Sequence, residues 1–202
     1  MNQELEIEFK NGLTEPEYFT IFEKEFKDSN PEKQMTFQKN YYFDTIEQLL
    51  KKQSSALRVR VTNFGNELTF KVPNRGFLLE TNYNLHHNEV EQIIQSNQMK
   101  LSSYISSTDS IPELEGLTKE TIFYLFNQFE TKRYEKEIDG HLIVLDQTTF
   151  QNGVIDYELE IETQDPKEGH TFFLDFLEKH GVSRRNSLPK IARAEIQRKR
   201  VN

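Results

Sequence analysis

Eight stretches of the chain read as β-strands, by period-two alternation of apolar and polar residues, by β-branched and aromatic enrichment, or by both. They span residues 3–10, 35–44, 55–62, 66–73, 77–85, 130–138, 141–147 and 155–163. Turn-forming residues separate several of them: Asn63-Phe64-Gly65-Asn66, Pro73-Asn74-Arg75-Gly76 and Asp139-Gly140. Asp-Gly between two β-like runs is the strongest hairpin signal in the chain. Helical spacing predicts four helices, at 15–28, 88–97, 118–128 and 166–180. Phe19, Phe22 and Phe26 form the apolar stripe of the first, and Phe172, Phe173, Phe176 and Leu177 that of the last. Gly181 supplies a stop for the last helix. The stretch 102–112 reads as a loop able to divide two halves, and no repeat at solenoid spacing is present. Antiparallel strands with interspersed helices predict an α+β fold.

The polar positions of these strands are sorted by charge. Alternation places Glu4, Glu6, Glu8 and Lys10 on one face of the first strand, opposite Leu5, Ile7 and Phe9. Tyr157-Glu158-Leu159-Glu160-Ile161-Glu162 repeats the design late in the chain. Between them, Arg58 and Arg60 alternate with Leu57, Val59 and Val61, and Lys71 alternates with Phe70 and Val72. A solvated face of an amphipathic strand explains any one of these runs. It does not explain carboxylates on the first and last strands with bases on the middle ones, because a surface ordinarily mixes both signs. Like charges two residues apart repel unless something binds them. Clustered carboxylates suit Mg²⁺ or Mn²⁺, which take oxygen ligands, and clustered Arg and Lys neutralise phosphate oxygens. Phosphoryl transfer needs both. A closed barrel would bring such strands to one lumen.

Composition narrows the setting. The net charge of −8 disfavours a nucleic-acid partner while leaving room for a small anionic substrate. Cysteine is absent, which excludes disulfides, thiolate metal sites and a cysteine nucleophile. No apolar run is long enough for a membrane-spanning helix, and the charged stretch 1–10 does not read as a signal peptide, so a cytoplasmic location is expected. The 16 Phe and 8 Tyr argue for a packed core.

An ordered set of motifs resembles the CYTH superfamily, the triphosphate tunnel metalloenzymes. Glu6-Ile7-Glu8-Phe9-Lys10 resembles its opening E-x-E-x-K signature, and Leu57-Arg58-Val59-Arg60 its L-R-x-R strand. Thr69-Phe70-Lys71, Thr131-Lys132-Arg133, Leu145-Asp146, Glu158-Leu159-Glu160 and Leu188-Pro189-Lys190 follow in the family's order. The resemblance implies a single domain over 1–202, built as an eight-stranded antiparallel β-barrel, or tunnel, with flanking helices. It implies triphosphate binding by Lys10, Arg58, Arg60, Lys71, Arg133 and Lys190, with Arg58, Arg60 and Lys71 catalytic. It implies a Mg²⁺ or Mn²⁺ ion held by Glu6, Glu8, Asp146, Glu158 and Glu160. Glu160 with Glu162 is the alternative metal pair, and Glu80 is as fit for the surface as for the interior.

Lys132 should face away from Arg133. The five histidines lack ligand spacing, and the basic tail from Arg193 onward reads as a solvated helix or strand end. The expected activity is a metal-dependent triphosphatase acting on inorganic triphosphate, thiamine triphosphate or a nucleoside triphosphate. A class IV-type adenylyl cyclase, a non-catalytic polyphosphate-binding module and a purely structural β-domain are the competing readings.

Overall fold

The computed structural model describes residues 1–27 and 35–199. In chain order its elements are β1 (Asn2–Glu6), β2 (Glu8–Leu13), α1 (Glu15–Glu25), β3 (Met35–Asp44), α2 (Leu49–Lys52), β4 (Ala56–Thr62), β5 (Asn66–Asn74) and β6 (Phe77–Leu85). There follow α3 (His87–Ser96), β7 (Gln98–Lys100), a 3₁₀ turn (Leu101–Ser103), β8 (Ile122–Ile138), β9 (His141–Phe150), β10 (Ile155–Glu162), α4 (Pro166–His180) and α5 (Lys190–Lys199). This is an α+β fold of antiparallel strands and flanking helices, as expected. The chain forms two compact units, one of Met1–Glu6 with Lys39–Gln128 and one of Ile7–Gln38 with Phe129–Asn202. Among the described residues no helix is long and apolar enough to cross a membrane.

In the first unit β1, β6, β5 and β4 are successive antiparallel neighbours. Leu57, Val59, Leu68, Phe70, Tyr83 and Leu85 point to one face, where they are buried with Val90 and Ile93 of α3. In the second unit the order is β8, β9, β10 and β2, again antiparallel. Ile143, Leu145, Tyr157, Leu159 and Ile161 are buried on one face against Tyr18 and Ile21 of α1 and Phe173, Phe176 and Leu177 of α4. Burying each such side chain contributes about 1.5–3 kcal/mol. Because side chains alternate along a strand, covering one face commits the residues between to the other. The opposite faces carry the sorted charges.

Local chemistry sets the element ends. Thr14 caps α1 in a reciprocal box with Glu17, and Pro16 sits in its first turn. Asp165 caps α4 by accepting from the amides of Lys167 and Glu168. Gly181 ends α4 at φ 67°, the left-handed position that favours glycine. Asp139 and Gly140, at φ 51° and 79°, make the two-residue turn between β8 and β9.

Several expectations are corrected. The strand predicted at 3–10 divides at Ile7: β1 pairs with β6 and β2 with β10, and the Ile7 carbonyl accepts from the Thr163 amide at 3.0 Å. With β7 also present, the described residues hold ten strands rather than eight. The helix predicted at 118–128 is a turn followed by the start of β8, and Phe123, Asn127 and Phe129 alternate inward there. The aromatic run at 122–126 fits either period, and its pairing with β7 decides for strand. Phe19 is 47% exposed, and Tyr18, Ile21 and Phe26 form the buried face of the α1 region instead. The two units do not divide at 102–112. Position 28 of the first predicted helix lies outside the described residues.

Candidate functional site

Register builds a charged row across the second unit. Arg133 on β8 is directly opposite Asp146 on β9, and Asp146 is opposite Glu158 on β10. Two residues along, Glu160 is opposite Lys10 on β2. Two carboxylates facing each other, as Asp146 and Glu158 do, are destabilising unless cations bridge them. Arg133 bridges on one side: its Nε donates to Asp146 at 2.8 Å, and its Nη2 donates to Asp146 and Glu160 at 2.7 Å each. Lys190, the first residue of α5, bridges on the other. Its Nζ lies 2.9 Å from Asp146, 2.5 Å from Glu160 and in contact with Glu158. Asp146, Glu158 and Glu160 are all buried.

A short irregular segment delivers Lys190 to this row. The buried Asn11 side chain accepts from the Arg185 amide and donates to the Ser183 carbonyl, fastening the segment to β2. Arg185 makes a paired contact with both oxygens of Glu17, and Arg184 lies over the Phe173 ring. From α5, Arg193 reaches Asp156 at 2.5 Å and Glu158 at 2.8 Å, and Ser187 donates to Glu158 at 2.5 Å. The tail expected to be solvated thus contributes Arg193, one helical turn beyond Lys190, to the site. The lysine and arginine three apart behind Pro189 were the available signal.

Ionisation follows from these contacts. Burial raises the Glu160 carboxyl, but Lys190, Arg133 and Lys10 outweigh it and hold the group well below the usual carboxylate range. Burial opposes ionisation of Asp146 too, and Arg133 and Lys190 bring it down. Burial disfavours the Lys190 ammonium, yet Asp146, Glu160 and Glu158 raise it above the ordinary lysine value. Asp146, Glu160 and Lys190 are thus each favoured in their charged forms. Glu162 differs: burial, with Glu160, Glu8 and Glu135 adding to it, pushes it up to about 7 against the pull of Arg133.

The first unit carries a second charged face. Lys71 on β5 is opposite Glu80 on β6, and its Nζ contacts Glu80 and both oxygens of Glu6, the latter at 2.9 and 3.0 Å. Arg58 is buried and donates to Glu67 at 3.2 Å and Thr69 at 3.3 Å. Arg60 donates to Asn40 at 3.1 Å. Burial raises Glu80, and Lys71 and Arg58 outweigh it, leaving the carboxyl at about 2. Glu80 is buried, an interior member of the cluster.

A family model, described as the CYTH domain, matches residues 4–194. The chain belongs to the CYTH domain family. It is 36% identical over 197 residues to the Bacillus subtilis protein named "Putative triphosphatase YjbK", covering 96% of this chain and 95% of that protein. A crystal structure from Bacillus halodurans, described as a putative adenylate cyclase, matches with a TM-score of 0.78 and 26% identity, covering 96% of this chain and 98% of the other. A Hippeastrum protein, described as a putative adenylyl cyclase with a dominant triphosphatase activity, shares the fold at a TM-score of 0.73 and 19% identity, over 96% and 95% of the two chains. The antiparallel, helix-flanked sheet is that of the CYTH tunnel fold.

Every residue expected at the site falls in one of the two charged clusters. Lys10, Glu8, Arg133, Asp146, Glu158, Glu160 and Lys190 gather in the second unit. Arg58, Arg60, Lys71 and Glu6 gather in the first. Glu6 and Glu8, expected on the metal, are engaged by Lys71 and Lys10. Lys132 is exposed and stacks toward the Tyr134 ring, away from Arg133. CYTH tunnel enzymes use a divalent metal, and the donor set of Asp146, Glu158 and Glu160 is all oxygen, which suits a hard cation. Among the described residues no group of His, Cys, Asp or Glu stands arranged to hold a metal ion by itself. The three carboxylates converge on the Lys190 ammonium instead.

Proposed function

We propose that this chain is a divalent-metal-dependent triphosphatase whose substrate is inorganic triphosphate, thiamine triphosphate or a nucleoside triphosphate. The observation that carries the reading is the row of buried, ion-paired carboxylates and bases on β8, β9, β10 and α5, which a solvated sheet face would not need. Asp146, Glu158 and Glu160 hold Mg²⁺ or Mn²⁺, which supplies charge neutralisation to phosphate oxygens. Lys10, Arg133 and Lys190 are the phosphate-binding candidates of the second unit, and Arg58, Arg60 and Lys71 are those of the first, each set taken by itself. Arg58, with its guanidinium fixed by Glu67 and Thr69, is preorganised for charge that develops on phosphate oxygens during phosphoryl transfer. Glu6 and Glu80 hold Lys71 in position, and Arg193 and Ser187 hold Glu158.

Tripolyphosphate should raise the melting temperature of the parent protein, because it binds the folded state. Arg58→Ala should show a clearly smaller shift, and orthophosphate should be a far weaker stabiliser of the parent. Equal shifts in the parent and in Arg58→Ala, or none in either, would return these charges to the role of an ordinary amphipathic surface.

A further inference from the structure

We infer that Lys190 is a built-in counter-ion that fills the cation position of the carboxylate cluster, and that a divalent cation binds there by displacing it. The inference rests on the triphosphatase reading and goes beyond it, because it states what the cluster holds before any ligand arrives.

Three carboxylates from two adjacent strands point at one ammonium nitrogen. Asp146 and Glu158 face each other across neighbouring strands, where two carboxylates repel unless cations offset them. Arg133 offsets Asp146 and Glu160 from one side, and Arg193 and Ser187 offset Glu158 from another, but among the described residues only Lys190 touches all three carboxylates. Its side chain is 13% exposed, so the ammonium has exchanged most of its water for carboxylate oxygens. A hard divalent cation needs the same oxygens. Both cannot be held there at full coordination.

The chain leading to Lys190 gives the exchange a route. Lys190 is the first residue of α5, and the irregular segment before it is tied down through Asn11, Glu17 and Phe173 rather than by sheet pairing. The ammonium can therefore leave the carboxylates while that anchor stays. Once released, Lys190 and one side of Arg133 lose their anionic partners to the metal and become available to phosphate oxygens. Metal and polyphosphate then each take over one half of the same ion pairs, so binding of either favours the other, and the coupling is reciprocal.

The direct test is binding of Mn²⁺ alone, with no phosphate compound present, followed by the spin-resonance signal of the free ion. The parent should bind weakly, and Lys190→Met, which keeps much of the side-chain volume and removes the charge, should bind at least ~10-fold more tightly. Equal affinity in the two proteins would overturn the inference. Because Lys190→Met leaves buried carboxylates less compensated, the parent is tested in parallel by lysine acetylation with peptide mass analysis. Lys190 should be protected without metal, and its labelling should accelerate several-fold as Mg²⁺ saturates the protein. Unchanged labelling at saturating Mg²⁺ would overturn the inference even if the variant does not fold. Tripolyphosphate stabilisation of the parent, measured separately, distinguishes the failures. If it persists while Mn²⁺ affinity is insensitive to Lys190, only the exchange falls, and if it is absent, both readings fall.

Discussion

Arg133→Met should be among the most destabilising single substitutions in the chain. The guanidinium makes three short hydrogen bonds to two carboxylates, of which Asp146 is 0% exposed and Glu160 5% exposed. Neither partner can turn to water when Arg133 is removed. Breaking a buried pair by deleting one partner costs about 3–5 kcal/mol, most of it from the charge left behind. For a chain of this size each kcal/mol lowers Tm by about 2–4 °C, so the fall should be about 6–20 °C. The pH dependence carries the sign. In the parent, Asp146 and Glu160 are depressed, so their contribution is present above the ordinary carboxylate range and is lost as pH falls through their folded-state values. In the variant Asp146 keeps Lys190 and Glu160 keeps Lys190 and Lys10, but each has lost a cation against the same burial, so protonation relieves part of the penalty as pH falls. The Tm gap between parent and variant should therefore narrow from pH 8 to pH 5. Asp146→Asn added to Arg133→Met should recover part of the loss, because the orphaned charge is gone. Thermal melts of the parent, single and double variants across that range decide the matter. A Tm loss under about 3 °C, or a gap that widens on acidification, would refute the claim that this pair is buried and ionised.

Arg58→Ala should lower kcat/KM for a triphosphate by about 2–4 kcal/mol of transition-state stabilisation. Its Tm should fall less than that of Arg133→Met, since Glu67 is a third exposed and regains water. Steady-state kinetics beside a thermal melt separate the two effects. Gly169→Ala should destabilise by about 1–3 kcal/mol, because the new methyl would sit 2.4–2.8 Å from the Thr163 side chain, and urea unfolding with unchanged triphosphate binding is the expected result. Excess chelator should abolish turnover and added Mg²⁺ or Mn²⁺ restore it, while Glu158→Gln or Glu160→Gln should weaken metal-dependent turnover with the fold intact by circular dichroism.

The charge-sorted strand faces were legible because β-strand alternation is a strict code, whereas Asp146, Arg133 and Lys190 came from the resemblance of motifs. Once Leu159 and Ile161 are assigned to the core, Glu158 and Glu160 must share the other face. The same logic placed Arg58 opposite Val59 and Lys71 opposite Phe70. What alternation cannot show is which strand lies beside which, and so it left the break at Ile7 hidden: both halves alternate correctly, and only the change of partner from β6 to β10 separates them. The start of β8 was misread because its apolar run fits both periods: Ile122, Leu125 and Phe126 would share a helical stripe, while Phe123 and Leu125 share a strand face. Arg193 was missed for a different reason. It lies in a run of charges that resembles a solvated tail, and its inward direction depends on α5 starting at Lys190. Lys190 itself was read as a phosphate ligand from its motif, and its three carboxylate contacts depend on the register of β9 against β10 together with the segment before α5 that places its side chain there.

The most direct measurement is phosphorus NMR of the parent protein with Mg²⁺ and, in turn, inorganic triphosphate, thiamine triphosphate and ATP. A triphosphatase should release orthophosphate from at least one of them, leaving pyrophosphate or the diphosphate, and should release nothing in excess chelator. Intact triphosphates in every tube, or cyclic nucleotide and pyrophosphate as the products from ATP, would contradict the assignment.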